Sequence, residues 1–534
     1  MEAVEALGLL ALPVCAVAVA AVARRIGLSA PPVLVLAGLA ATFLPGMPDF
    51  RLDPDIALFV FLPPLLFAAA WESSYYNLRE NIRPIALLSV GLVLFTTFVL
   101  GYVAYLVVPG LGLAQAFVLA ALLAPPDAVA AVGIARKLGL PRRLITILVG
   151  ESLFNDATAL TLFRVALAAA AGVGFSLMDG VGRFLFAALA GAAVGLVLGP
   201  VLHWLRGRLN DPLVETVVPV LAPFAAYLTA EALHASGVIA VVVAGLYLGH
   251  RSTESAAKTR LLSGSLWMVV VFVLESVVFV LIGLQLPLIL DTLSTRNPVT
   301  LAWNAAVIFV VVVLTRFVWV LPAAYVPLWV SRRVRQREVG LDWRHRVVVA
   351  WAGMRGVVSL AAAFAIPLKN DEGIVFPGRD LVLFFTFTTV LATLLVHGLT
   401  FPALVRRLGI GTEDERHADA VAEAGAQHAA ARAGLERLEA IAKNETGGYV
   451  EDAVRRLRTL SEDRQFSAWE RLGGGTGPQG EEVPTAVYRR LRREMLAAER
   501  EVFIRMRDER RIDDEVLMRV MRELDLEEIM LSRD

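Results

Sequence analysis

The chain is almost without cysteine: Cys15 is the only one among 534 residues. A disulfide framework within one chain is excluded, and so is a cysteine–histidine metal cluster. The seven histidines are scattered and form no HxxxH pair. Charge is scarce as well. Only 19% of residues are charged, 57% are hydrophobic, and mean hydropathy is +0.65. A soluble protein of this size cannot hide so much apolar surface, so the composition reads as a polytopic membrane protein. No basic segment precedes the first apolar run, which begins beside Glu2 and Glu5. That start reads as a first transmembrane helix and not as a cleaved signal peptide.

What charge there is divides unevenly. Formal net charge is +0, yet residues 410–534 hold 21 Lys+Arg against 28 Asp+Glu, leaving 29 and 22 for the first 409. An apolar, slightly basic body therefore carries a polar, slightly acidic tail. A membrane span needs roughly 20 apolar residues. On that rule the body holds thirteen: 3–23, 31–48, 54–70, 83–108, 112–136, 143–171, 180–205, 213–231, 235–249, 264–290, 300–330, 346–368 and 379–405. One set of alternate loops carries 21 basic residues, among them Arg24, Arg83, Arg143, Arg260 and the six arginines from Arg332 to Arg346. The other set carries five: Arg51, Arg183, Arg296, Lys369 and Arg379. A miscounted helix would swap the sides of every later loop and erase that contrast. The basic side is cytoplasmic by the positive-inside rule, which puts the N-terminus outside and the tail inside. The tail, 409–534, reads as a small helical domain. Helical spacing runs through 416–444 and 484–506, with a Gly-rich linker, 472–482, between them.

Seven Asp, Glu or Arg residues fall more than a turn inside the ends of the predicted spans: Asp127, Glu151, Asp156, Arg164, Glu275, Arg316 and Arg355. Each costs from about 2.5 kcal/mol upward at the bilayer centre unless paired or wetted, so such residues are candidate functional sites. In 149-VGESLFNDATAL-160, helical spacing puts Glu151 with Asn155 and Ser152 with Asp156. The two stripes are rotated by about a hundred degrees. Ser152 and Asp156 offer hard oxygen ligands suited to an alkali cation. Glu151 offers a partner for an arginine on a facing helix. Arg316, alone in the eleventh span, needs such a partner, and Glu151 and Glu275 are the available carboxylates. In 124-APPDAVAAV-132 two prolines break a span, and Asp127 follows at the start of the second half-helix. In 352-AGMRGVVSLA-361 two glycines flank Arg355, so this span is read as interrupted too. The interruptions fall in the fifth and twelfth spans. An odd offset of seven inverts their topology, which fits two inverted repeats with crossing broken helices.

An intramembrane hydrolase is disfavoured. Ser152 lies in GESL, not in a G-x-S-x-G elbow, and no histidine is placed as its base. No filter-like repeat suggests a channel.

GESLFNDATAL, APPDAVAAV, GMRGVVSLA, LPPLLFAAAW (62–71) and FVLIGLQLP (279–287), in this order, resemble the bacterial Na+/H+ exchangers of the NhaP type, in the cation:proton antiporter superfamily. The resemblance covers about 1–408, and the tail lies outside it. It implies an all-α antiporter of the cell membrane, homodimeric, without enzyme activity, cofactor or nucleic acid. The exchange implied is Na+ for H+, with Li+ and K+ left open and a channel as the remaining alternative. It implies Asp156 as the carboxylate that takes cation or proton. Ser152 becomes a Na+ ligand, and Asn155 the mark of the electroneutral branch. Glu151 and Arg316 become a structural bridge, while Asp127 and Arg355 become the charges of the two broken helices. Two departures stand out. Pro126 occupies the place of a ligating threonine, so its backbone carbonyl would have to substitute. Ala68, Ala69 and Ala70 follow LPPLLF where many relatives carry an acid, and Glu72 comes two to four residues late.

Overall fold

Helices account for the regular structure of the chain. The computed structural model describes residues 3–43, 57–170, 177–209, 211–285, 287, 289, 293, 296–330, 342–367, 376–410, 413–443, 448–472 and 484–531, and no strand occurs among them. Arg51, residues 332–337, Lys369 and most of the Gly-rich linker lie outside these residues. The chain divides into two compact units, 1–410 and 411–534.

The first unit begins with α1 (Ala3–Arg25), α2 (Ala30–Ala41), α3 (Leu62–Trp71) and α4 (Ile82–Val107). Next come α5 (Leu113–Leu123), α6 (Ala128–Lys137), α7 (Arg142–Ala170), α8 (Leu177–Arg206), α9 (Pro212–Ala232) and α10 (Gly237–His250). It closes with α11 (Ala257–Leu284), α12 (Pro298–Val330), α13 (Trp343–Trp351), α14 (Val357–Phe364) and α15 (Arg379–Leu408). Most fall within a few residues of the stretches that hydropathy marks, while α11 begins seven residues before its stretch, 264–290, and α3 begins eight residues into its own, 54–70. Seven of the described helices are long and apolar enough to cross a membrane by themselves: α4, α7, α9, α11 and α15, with most of α8 and α12.

Two stretches are each split. α5 stops at Leu123, before Pro125 and Pro126, which have no N–H to continue the ladder, and α6 resumes at Ala128. α13 stops at Trp351 and α14 resumes at Val357, with Gly353 and Gly356 in between. Unbonded backbone at this depth is tolerated only where protein or a cavity receives it. Here protein does. α5 and α15 are deeply enclosed there: Val118 to Leu123 are all buried, as are Leu381 to Phe387.

The outside of the unit is apolar. Leu94, Phe98, Tyr102 and Leu106 recur every four residues on α4 and are exposed, as are Phe186, Leu189, Leu196 and Val197 on α8. Such a surface would be costly in water and is at home in hydrocarbon.

The tail holds α16 (Glu413–Ala442), α17 (Gly448–Leu472), α18 (Pro484–Asp508) and α19 (Asp514–Leu531). α16 packs on α17, and α18 on α19. The second pair encloses Leu496, Leu517 and Leu524.

Candidate functional site

The two interruptions meet and bond to each other. The N–H of Asp127 donates to the carbonyl of Met354 at 2.7 Å. The N–H of Arg355 donates to Oγ1 of Thr393 on α15 at 3.0 Å. Helix breaks that would leave orphaned polar groups thus satisfy one another.

The Asp127 carboxylate lies against Gly356, where any Cβ would overlap it. Gly356 caps the start of α14, and Asp127 precedes the start of α6. Two half-helices therefore point their positive ends at one carboxylate.

α7 runs unbroken past this crossing and delivers three buried polar side chains. The Glu151 carboxylate is gripped by both guanidinium nitrogens of Arg316, at 2.5 Å and 2.8 Å. Arg316 also donates to the Val349 carbonyl of α13, from Nε at 3.1 Å and Nη2 at 2.9 Å. The bridge is shut off from solvent, each side chain being 2% exposed. Gly353 makes room for it, since a Cβ there would come within 2.6 Å of Arg316 Cδ.

Asn155 donates from Nδ2 to the Pro126 carbonyl at 2.8 Å, and its Oδ1 is buried without a hydrogen-bond partner. The expectation of Pro126 as a ligand is thereby narrowed: one lone pair of its carbonyl is already engaged.

Asp156 is buried on the same helix and makes no hydrogen bond or ion pair with a described residue. The charged group that acts on it is Asp127. Ser152 is half-buried one turn earlier. Asp127, Asn155 and Asp156 therefore gather at the crossing, with Ser152 one turn away, and Glu151 is neutralised beside them.

Arg316 takes Glu151, the bridge that the resemblance implies, and not Glu275. Glu275 stays half-buried on α11, where the charges near it are Asp127, Arg24 and Glu72. Arg164, on α7, is exposed and donates to Glu231 of α9 at 2.8 Å. Glu72 does not stand in for the missing acid. It caps α3 and pairs with Arg136 at 3.2 Å, both 55% exposed.

Two buried bases complete the site. Arg355 is enclosed, donates from Nη1 to the Gly353 carbonyl at 3.1 Å, and pairs with no carboxylate among the described residues. His397 on α15 packs on Trp351 at 4.7 Å between ring centroids, and neither of its nitrogens makes a hydrogen bond. The sequence alone did not single out His397. Its position four residues after Thr393, on one helical face, is the signal that would have found it.

Comparison with known proteins agrees with this architecture. The family described as sodium/hydrogen exchanger, transmembrane, matches residues 12–407. An uncharacterised Na+/H+ exchanger of Mycobacterium tuberculosis is 34% identical over 515 residues, 95% of this chain and 93% of the relative. A sodium, potassium, lithium and rubidium/H+ antiporter of Bacillus subtilis is 33% identical over 380 residues, 68% of this chain and 56% of the relative. The structure of the sodium proton antiporter MjNhaP1 from Methanocaldococcus jannaschii superposes with a TM-score of 0.60 at 20% identity, covering 76% of this chain and 99% of that one. At that identity the likeness speaks to the fold. The chain belongs to the sodium/hydrogen exchanger family of multi-pass membrane transporters, on a fold shared with an archaeal antiporter.

Proposed function

We propose that the chain exchanges Na+ for H+ across the bacterial cell membrane by competition of cation and proton at Asp156. One observation carries the reading: of the two buried carboxylates on α7, Glu151 is locked to Arg316, and Asp156 has no hydrogen bond or ion pair among the described residues. A carboxylate without a fixed cation can take a mobile one or a proton, but not both. Ser152, the unpartnered Oδ1 of Asn155, the second lone pair of the Pro126 carbonyl and Asp127 are the oxygens at hand for a hard cation. Glu151, Arg316 and Arg355 hold the crossing in shape.

One cation against one proton makes the exchange electroneutral. Asn155, a neutral side chain beside Asp156, supports that stoichiometry. The basic loops support an N-terminus outside and a cytoplasmic tail. The two interruptions support inverted repeats, with thirteen crossings within residues 1–408 as the exchanger domain and 409–534 as a helical, regulatory domain. Homodimerisation follows from the resemblance. The Bacillus relative, named for four alkali cations, supports testing K+ and Li+ beside Na+.

In proteoliposomes, added Na+ should dissipate an imposed pH gradient, with Li+ and K+ compared side by side. Asp156→Asn should abolish the response while leaving folded protein. A variant that still exchanges Na+ for H+ overturns the reading.

A further inference from the structure

A pocket opens between α4, α7, α12 and α13, on the side of the unit that collects the basic loops. Arg83, Arg143, His345 and Arg346 line it, and no carboxylate does so among the described residues. Its walls are apolar. Arg143 is steadied by donating from Nε to Asn81 at 3.0 Å, and Arg346 by stacking on Tyr325, 4.0 Å from the ring centroid. Both contacts leave guanidinium edges for an anion.

The apolar lining is what gives the pocket consequence. Ile147 lies one turn before Glu151 on α7, and Val320 one turn after Arg316 on α12. Val349 supplies the carbonyl that takes two hydrogen bonds from Arg316. The apolar lining of the pocket thus belongs to the three segments that hold the Glu151–Arg316 bridge.

We propose that this pocket binds an anionic phospholipid of the cytoplasmic leaflet, its phosphate on Arg83, Arg143 and Arg346 and an acyl chain against Ile147, Val320 and Val349. Charge complementarity picks the headgroup, since the cytoplasmic leaflet is negative and basic pockets between transmembrane helices on that side take anionic headgroups. The apolar lining picks a lipid over a soluble phosphate, which would leave those walls bare. The chain against that lining braces α7, α12 and α13 against one another and so steadies the ion bridge.

The assignment rests on the proposed orientation but not on Asp156 as the exchanging group, so binding is read apart from transport. Native mass spectrometry of the purified full chain with phosphatidylglycerol and phosphatidylcholine should show preferential retention of phosphatidylglycerol. Arg83→Gln with Arg143→Gln and Arg346→Gln should remove that preference, and Ala324→Trp, which fills the pocket, should remove binding. In vesicles of phosphatidylcholine alone, exchange by the unaltered chain should fall several-fold and recover when phosphatidylglycerol is added. The triple variant should be indifferent to the addition. Equal phosphatidylglycerol retention by the triple variant and the unaltered chain overturns the assignment. So does an unaltered chain that exchanges equally well in both vesicles.

Discussion

The chain makes the same fork twice, in opposite surroundings. Inside the membrane unit, Arg316 holds Glu151 by two bonds at 2.5 Å and 2.8 Å, with both side chains 2% exposed. In the tail, Arg492 on α18 holds Glu527 on α19 at 2.6 Å and 2.7 Å, with exposures of 20% and 35%. Arg492 also takes Glu499, at 2.9 Å. Near-identical geometry does not mean equal weight. In water an ion pair exchanges solvation for contact at little net gain and is screened by salt. In the interior, each charge depends on its partner because nothing else solvates it.

The largest test of that contrast is Arg316→Ala. It strands Glu151 and leaves the Val349 carbonyl without its donor, so about 3–5 kcal/mol of stability should be lost. Thermal unfolding in detergent reads it. Pairing Glu151→Leu with Arg316→Met should recover much of the loss, because no buried charge is then left alone. A single variant as stable as the parent would place the two forks on equal terms.

Gly356→Ala comes next. The added Cβ overlaps the Asp127 carboxylate, an overpacking that typically costs about 1–3 kcal/mol. Transport should fall more than stability, by about a hundredfold if the displacement reaches an ångström. Initial exchange rates in proteoliposomes, compared with thermal unfolding, separate the two effects.

The smallest effect belongs to Arg492→Gln. Hydrogen exchange on the full chain should show lower protection confined to α18 and α19, shrinking at high salt. The hydrogen bonds from Arg492 hold the Glu527 carboxyl below its ordinary value of 4.5. Its contribution is therefore complete above that value and is lost as pH falls through the lowered one. The protection difference between parent and variant should vanish in acid. A difference that grows with acidity contradicts the pairing.

Much of this was legible in sequence because the bilayer punishes the alternatives. Pro125-Pro126 can only interrupt α5, and Gly353 and Gly356 around Arg355 mark the second interruption. Four residues separate Glu151 from Asn155 and Ser152 from Asp156, which fixes their faces on α7. The choice between Glu151 and Glu275 for Arg316 was not legible: 165 residues separate Arg316 from Glu151, and only tertiary packing sets which carboxylate comes close. His397 was passed over because a lone histidine carries no pattern of its own. In the tail, α17 and α19 were missed where exposed helices bury few side chains and show weak periodicity.

A broken helix is usually pictured as a hinge, free to bend where its ladder fails. The hydrogen bond from Asp127 N–H to the Met354 carbonyl removes that freedom. Neither interruption can open without pulling on the other, and Thr393 ties the second one to α15. The crossing is therefore a strut. A movement that carries an ion from one side to the other takes the knot along whole, together with the helices bonded to it: α7 through Asn155, α12 through Arg316 and α15 through Thr393.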